Sequence, residues 1–461
     1  MTSLPPQPIS PLDGRYRQAV AELGDTLSEA GLNKARVHVE VEWLAELTER
    51  SLLGATPLAP EQLASLRAWA AGFGQPEIDE LAETERTTQH DVKAVEYLVR
   101  ARLETQGLGH LAELTHVCCT SEDINNLSYA LTVKQAVAEV WRPRFERVIA
   151  EIARQAELYR ELPMMSRTHG QPATPTTLGK ELAVFVHRLE RQLHQIDDIE
   201  YLGKFSGATG TFAAHLAADP DTDWAEVSQR FVERLGLDWN PLTTQIESHD
   251  WQAELYTRIA HANRILHNLA TDVWSYISIG YFRQIPVAGA TGSSTMPHKV
   301  NPIRFENAEA NLELSNAILD SLAQTLVTSR WQRDLTDSSA QRNIGVGLGH
   351  SVLALDNILK GLGQIDAAPE VLAADLDANW EVLGEAIQTV IRAEVTAGRS
   401  TISDPYAALK ELTRGRRIGQ AELGEFVEGL EIGEAAKQRL LALTPATYIG
   451  DAVRLVDFLT R

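Results

Sequence analysis

Apolar residues along this chain recur with a helical period almost throughout. Leu182, Phe185, Val186, Leu189, Leu193 and Ile196 fall on one helix face, and no comparable run alternates as a strand would. Stripes of about 25 to 30 residues begin at Trp251, Ile303 and Val371, longer than an average globular helix. Helices of that length pack naturally as an antiparallel bundle, so the pattern predicts an all-α fold. Pro143 lies between Leu127 and Leu158 and predicts a kink or break there. Glycines at Gly107 to Gly109 and the Gly361 to Pro369 segment are the best candidate edges. They divide the chain into an N-terminal helical domain (1–111), a central long-helix domain (112–364) and a C-terminal helical domain (365–461).

Composition excludes several classes. The 461 residues carry a formal charge of -21, which argues against a nucleic-acid backbone or an anionic membrane as main partner, since both call for a basic face. A small anion in a locally basic pocket remains compatible. Cys118 and Cys119 are the two cysteines, and sequence neighbours seldom close an unstrained disulfide, so a reducing, cytoplasmic setting fits. The start, MTSLPPQPISPLDGRY, lacks a basic and then apolar leader, and no stretch reaches the ~18 apolar residues of a membrane span.

Polar constellations fall at the turns between the stripes. Arg86 to Asp91 (RTTQHD) precedes the stripe that opens at Val92, and Thr120 and Ser121 stand before acidic residues as at a helix start. Capping alone would explain one of these hydroxyls. In Ser166 to Pro175 (SRTHGQPATP), His169 sits among polar groups and a glycine rather than on an apolar face; a structural or solvated histidine is the plain reading, and proton transfer is the functional one. Ser329 to Arg342 supplies Arg330, Arg333, Arg342 and Ser338; helix-surface ion pairs are the plain reading, and a phosphate clamp is the functional one. Gly292 to Pro302 (GSSTMPHKVNP) places Ser293, Ser294, His298, Lys299 and Asn301 on a segment that Pro286, Pro297 and Pro302 keep out of a continuous helix. Paired hydroxyls beside a lysine and backbone amides suit an anion or a charge developing on carboxylate oxygens.

Other chemistries leave weaker traces. Gly179-Lys180 is followed by Glu181 and Gly203-Lys204 by Phe205, so neither is a P-loop, and His350 spoils a dinucleotide fingerprint at Gly345 and Gly347. No histidine pair has zinc-protease spacing and no CxxC pair exists, so no metal or redox cofactor is inferred. Gly292 directly precedes Ser293, unlike a nucleophile elbow.

GSSTMPHKVNP resembles the signature loop of the fumarase/aspartase superfamily. Together with LDGRY, RTTQHDVKAVEY, CTSEDINNLS, SRTHGQPATP, TTQIE and SRWQRDLTDSS, it resembles the adenylosuccinate lyase family in its bacterial form, across nearly the whole chain. Gln89 departs from the asparagine that relatives often carry. The resemblance implies a three-domain, all-α fold with a central helix bundle and a homotetramer in which three subunits build each site. It also implies cofactor-free β-elimination of fumarate from adenylosuccinate, giving AMP, and from SAICAR, giving AICAR. By the same resemblance Ser293 is the base, His169 the acid, Lys299 the cation that supports the developing charge, and Glu306 the carboxylate that orients the histidine. Arg15, Tyr16, Arg333, Ser338 and Arg342 would surround the nucleotide phosphate, with His90 and Asp91 on the ribose and phosphate side. Thr120, Ser121, Gln245, Ser294, Lys299 and Asn301 would hold the succinyl carboxylates, with Asn307 nearby. A lyase for another succinyl or amino-acid substrate and a noncatalytic helical scaffold are the competing readings.

A serine hydroxyl is a poor base at its ordinary acidity, so closure of the signature loop must stabilise its alkoxide, and Ile285 to Val300 is expected to act as a mobile lid. Ser293→Ala is expected to keep nucleotide affinity and to lose roughly 10²- to 10⁴-fold in kcat, the usual weight of a general base. Equal turnover in the variant, measured under saturation, removes Ser293 from that role.

Overall fold

The structure is a computed structural model that describes residues 8–286, 296, 299–404, 406, 407, 409 and 418–460. It is helical almost throughout. Contacts divide the chain into two units, one of residues 1–146, 192–264 and 308–356, the other of residues 147–191, 265–307 and 357–461.

In the first unit, helices α1 (Glu29–Glu49), α2 (Pro60–Ala71), α3 (Gln75–Thr88) and α4 (Asp91–Thr105) surround an apolar cluster. Ser28 starts α1 by accepting the Gly31 N–H at 3.1 Å, relieving one unpaired first-turn donor. The buried face of α1 presents Val37, Val41 and Leu44, and α4 answers with Val95, Leu98, Val99 and Leu103. Helix α5 (Ser121–Gln135) opens at the start expected from Thr120, with the Asp123 carboxylate accepting the Thr120 N–H at 2.8 Å. A π-helical turn, Ala136–Trp141, separates α5 from α6 (Arg142–Leu158), so the break expected near Pro143 falls on the turn just before that proline.

Helices α7 (Leu178–Asp197) and α8 (Trp224–Arg234) precede α9 (Asp250–Ser278) and α10 (Ile303–Leu326), which the stripes from Trp251 and Ile303 form. Helices α11 (Thr336–Gln341) and α12 (Ile344–Leu362) follow. Within the first unit a buried polar network ties α9, α10 and α12 to the π-helical turn. Trp141 Nε1 donates to Ser351 Oγ (2.9 Å), Ser351 to Asn263 Oδ1 (2.8 Å), Asn263 Nδ2 to Ser315 Oγ (3.0 Å), and Ser315 to the Gly347 carbonyl (2.8 Å). All four side chains are fully buried, and each of them has a hydrogen-bond partner within the network.

Two sequence expectations are corrected. The stripe from Val371 is not one long helix: α13 (Pro369–Asp377) stops, a 3-10 turn spans Trp380–Leu383, and α14 runs over Gly384–Thr396. Side chains compete for the local polar groups there, with Asn379 Nδ2 donating to the Asp375 carbonyl (2.6 Å) and Trp380 Nε1 to Asp377 Oδ1 (3.1 Å). Short strands also occur where no alternation was visible. Strands β1 (Pro163–Thr168) and β2 (Gln171–Thr177) make an antiparallel hairpin with a bulge between Met164 and Ser166. The bulge buries Met164 and Met165 in succession and so erases the two-residue period. Strand β3 (Leu202–Gly203) pairs in parallel with β4 (Asp238–Trp239), and β5 (Phe282–Gln284) antiparallel with β6 (Ile365–Ala367).

Asp123 and Lys204 form an ion pair at 2.8 Å with neither side chain exposed. Lys204 Nζ also donates to the carbonyls of Gly207 and Gln245, each at 2.9 Å, while Asp123 accepts from the Ser206 and Gly207 amides. Asp123→Ala leaves that ammonium without its counter-charge and is expected to cost about 3–5 kcal/mol. A chemical-denaturation midpoint unchanged from the parent would show that the pair does not hold these segments.

Candidate active site

The first unit carries an open cavity of about 720 Å³ lined by residues from distant segments. Seven of the residues selected from sequence converge on it: His90, Asp91, Ser121, Gln245, Arg333, Ser338 and Arg342. Arg15, Tyr16 and Thr120 belong to the same unit but not to this lining.

Each wall has a local reason for its place. His90 caps α4 by accepting the Lys93 N–H on Nδ1 at 3.2 Å, which leaves the proton of the neutral ring on Nε2. Asp91 follows as the first residue of α4; burial opposes its ionisation, but Arg36, the Val92 N–H and Arg342 outweigh that and hold its carboxyl below the usual range. Gln89 has φ +49°, a left-handed helix end that asparagine adopts more easily, so the departure at this position falls on a conformationally selective residue.

Arg342 Nη1 donates to Ser338 Oγ at 3.0 Å, and its Nη2 to Asp91 Oδ2 at 3.1 Å. Arg333 pairs with Glu122 (3.0 Å) and donates to Gln245 Oε1 (3.3 Å). The Nε of Arg333 is buried without a hydrogen-bond acceptor among the described residues, a donor suited to a bound anion's oxygen. Burial raises the Glu122 pKa against the pull of Arg333. The cavity can therefore present two guanidinium groups, a serine hydroxyl and amide groups to an anionic ligand.

Sequence reasoning missed residues that act from beneath or beside these walls. Trp331 lines the cavity with 94% of its surface exposed and a backbone φ of +52°. His116, three residues ahead of the CTSEDINNLS segment, has no role in the sequence reading. Its Nδ1 lies 2.6 Å from Glu40 Oε1 and its amide donates to Glu40 Oε2 at 3.1 Å, fixing the turn before Thr120. Burial disfavours its charge, yet Glu40 and Glu96 prevail and raise its pKa. His116 and Cys118 both hold left-handed backbone, with φ of +59° and +63°, which does not show in the sequence.

His169, Lys299, Asn301, Glu306 and Asn307 lie in the second unit. The Ser166 to Pro175 segment is the tip and arms of the β1–β2 hairpin rather than a loop. His169 and Gly170 are its two turn residues, with φ of +53° and +74°, as a type I′ turn requires. The hairpin is tied down by Arg167 to Asp375 and by Thr174 to Glu385, while the exposed His169 ring has no hydrogen-bond partner among the described residues. Glu306 stands on the first turn of α10 and accepts the Trp274 indole N–H at 3.1 Å. The Lys299 amide donates to the Met296 carbonyl at 3.0 Å, and Asn301 and Asn307 flank the start of α10. Ser293, Ser294 and His298, and most of the expected lid, lie outside the described residues.

Among the described residues no helix is long and apolar enough to cross a membrane. A family described as "Lyase" matches residues 14–316, and one described as "Adenylosuccinate lyase C-terminal" matches residues 329–449. The chain is 49% identical over 451 residues to an Escherichia coli (strain K12) protein named adenylosuccinate lyase, covering 97% of this chain and 98% of that one. It is 48% identical over 452 residues to the protein of that name from Vibrio cholerae, with the same coverage. Its fold is similar to that of a fumarate lyase from Mesorhizobium sp. BNC1, with a TM-score of 0.75 at 20% identity over 95% of this chain and 97% of that one. A 3-carboxy-cis,cis-muconate lactonizing enzyme from Pseudomonas putida gives 0.71 at 20% identity over 95% and 96%. These matches, spanning nearly the whole chain, show that it belongs to the adenylosuccinate lyase family.

Proposed function

We propose that this lyase eliminates fumarate from adenylosuccinate to give AMP, and from SAICAR to give AICAR. The observation that carries the reading is the convergence of Arg333, Ser338 and Arg342 with His90, Asp91, Ser121 and Gln245 on one cavity. In a family member, that set suits a ligand with a phosphate at one end and carboxylates at the other.

The reaction breaks a C–H bond and a C–N bond and forms the C=C bond of fumarate. Ser293, as alkoxide, takes the proton from the carbon next to a carboxylate. The electron pair forms the double bond as the nitrogen leaves, and His169 donates a proton to that nitrogen. Lys299 offsets the negative charge that builds on the carboxylate during proton removal. Glu306 is assigned to orient the histidine, and Ser294, Asn301, Thr120 and Asn307 to the succinyl side. Arg15 and Tyr16 are assigned to the phosphate. A homotetramer, with each site assembled from several subunits, supplies the groups that one copy's cavity does not hold.

Purified protein mixed with adenylosuccinate, without added metal or nucleotide cofactor, is expected to release AMP and fumarate in equal amounts. Absence of both products from a folded oligomer, or release of fumarate from argininosuccinate or aspartate instead, would replace this reading with that of a related lyase or a scaffold. Shared sites make a second expectation. Mixing inactive Ser293→Ala and His169→Ala proteins under subunit exchange restores part of the activity, because some sites then receive one intact copy of each group. No recovery after exchange has been verified by mass would place both groups in the same subunit.

A further inference from the structure

We infer that Arg36, which does not line the cavity, is the positioning residue that fixes Arg342 and Arg333 relative to one another. Its side chain is 2% exposed and its guanidinium spends three donors on three different acceptors. Nη2 donates to Asp91 Oδ2 (2.8 Å), Nε to Asn125 Oδ1 (2.9 Å) and Nη1 to Asn33 Oδ1 (2.8 Å). Two of those acceptors lead directly to the cavity arginines. The Asp91 oxygen held by Arg36 is the same one that accepts from Arg342 Nη2 at 3.1 Å. On the other branch Asn125 Nδ2 donates to Glu122 Oε1 at 2.8 Å, and that oxygen pairs with Arg333 Nη2 at 3.0 Å. A continuous path of hydrogen bonds and ion pairs, Arg342–Asp91–Arg36–Asn125–Glu122–Arg333, therefore runs along the cavity wall through Arg36.

The chemistry of the path explains why an arginine stands there. Two guanidinium groups facing one cavity repel each other and stay in place only if each has a fixed carboxylate behind it. Those carboxylates, Asp91 and Glu122, are on different helices, α4 and α5. Arg36 projects from α1 and bridges them through a planar fork whose donor directions are rigid. A lysine offers one movable point charge and cannot span three acceptors in fixed directions. The remaining anchors do not link the two arginines: Arg342 donates to the Ser338 carbonyl (2.9 Å) and hydroxyl (3.0 Å) on the preceding turn and reaches Glu29 at 3.3 Å with both side chains well solvated, while Arg333 reaches Gln245 at 3.3 Å.

This role rests on the reading that the cavity holds the phosphate of a nucleotide between those two arginines. Coupling through a chain of contacts is established by energetics rather than adjacency, so the test is a double-mutant cycle. AMP affinity is measured by titration calorimetry for the parent, Arg342→Lys, Arg333→Lys and the double variant, each with Arg36 and with Arg36→Met. Arg36→Met is expected to raise the AMP Kd and the substrate KM about tenfold while kcat changes far less, as fits the loss of positioning bonds to charged groups. Arg36→Lys should fall between the two. The parent cycle should depart from multiplicative behaviour by several-fold, and this coupling should vanish in the Arg36→Met background.

An AMP Kd equal to the parent's, or a weakened Kd with the Arg342–Arg333 coupling intact, would overturn the inference and leave Arg36 a structural residue. Should Arg36→Met fail to fold, the same cycle in Arg36→Lys decides, since that variant keeps the positive charge but loses the fork that reaches three acceptors. Parent turnover of adenylosuccinate is measured alongside. Failure of the assigned reaction is then read from turnover, and failure of the Arg36 role from AMP binding alone.

Discussion

A carboxylate and an ammonium with no solvent contact, Asp123 and Lys204, determine where the walls of the cavity stand. Taking both charges out of water is costly, and the pair is tolerable because almost every donor and acceptor it owns is used. Asp123 receives the Thr120, Ser206 and Gly207 amides; Lys204 reaches the Gly207 and Gln245 carbonyls. Three segments that are remote in sequence are thereby locked before any ligand arrives. Ser121 on one wall and Gln245 on another are set by the same buried contact, so the cavity is preorganised.

The arrangement also resolves an electrostatic conflict. A chain of charge -21 repels an anion as a whole, yet at physiological salt that repulsion fades beyond about 8 Å. Inside the cavity the local sign is reversed by Arg333 and Arg342, and each keeps a carboxylate behind it. Those carboxylates compete with the ligand for the guanidinium donors. They also hold the donors' directions, which is what discriminates a phosphate or carboxylate from a diffuse negative charge.

What the sequence disclosed and what it hid divide along a physical line. The long helices from Trp251 and Ile303, the break near Pro143, and the helix starts at Thr120 and Asp91 depend on periodicity and capping, which act over a few residues and are visible in the chain. The hairpin that carries His169 stayed hidden because a bulge and two prolines, Pro172 and Pro175, conceal its alternation. The stripe from Val371 misled because side chains of Asp375, Asp377 and Asn379 interrupt a helix that the apolar spacing alone would continue. Resemblance located the cavity walls but not their supports. Arg36 reads as an ordinary cation on a helix and Lys204 as a residue after a glycine, because the Arg36 partners Asp91 and Asn125 lie 55 and 89 positions away and the partners of Lys204 lie in three separate segments. Pairings of that kind exist only once the chain has folded.

The buried network of Trp141, Asn263, Ser315 and Ser351 has a consequence for how this scaffold can change, over time as well as in motion. Apolar ridges alone would let one helix slip past another by a turn, about 5.4 Å, into an almost equivalent packing. A hydrogen-bonded set with one matching arrangement removes that degeneracy, in the manner of a key cut for a single lock position. Any one of the four residues can be exchanged for an apolar one only by stranding its neighbour's donor or acceptor in a dry core. Substitutions there must come as concerted sets, and the helix register is inherited as a unit while the loops at the helix ends remain free to diversify.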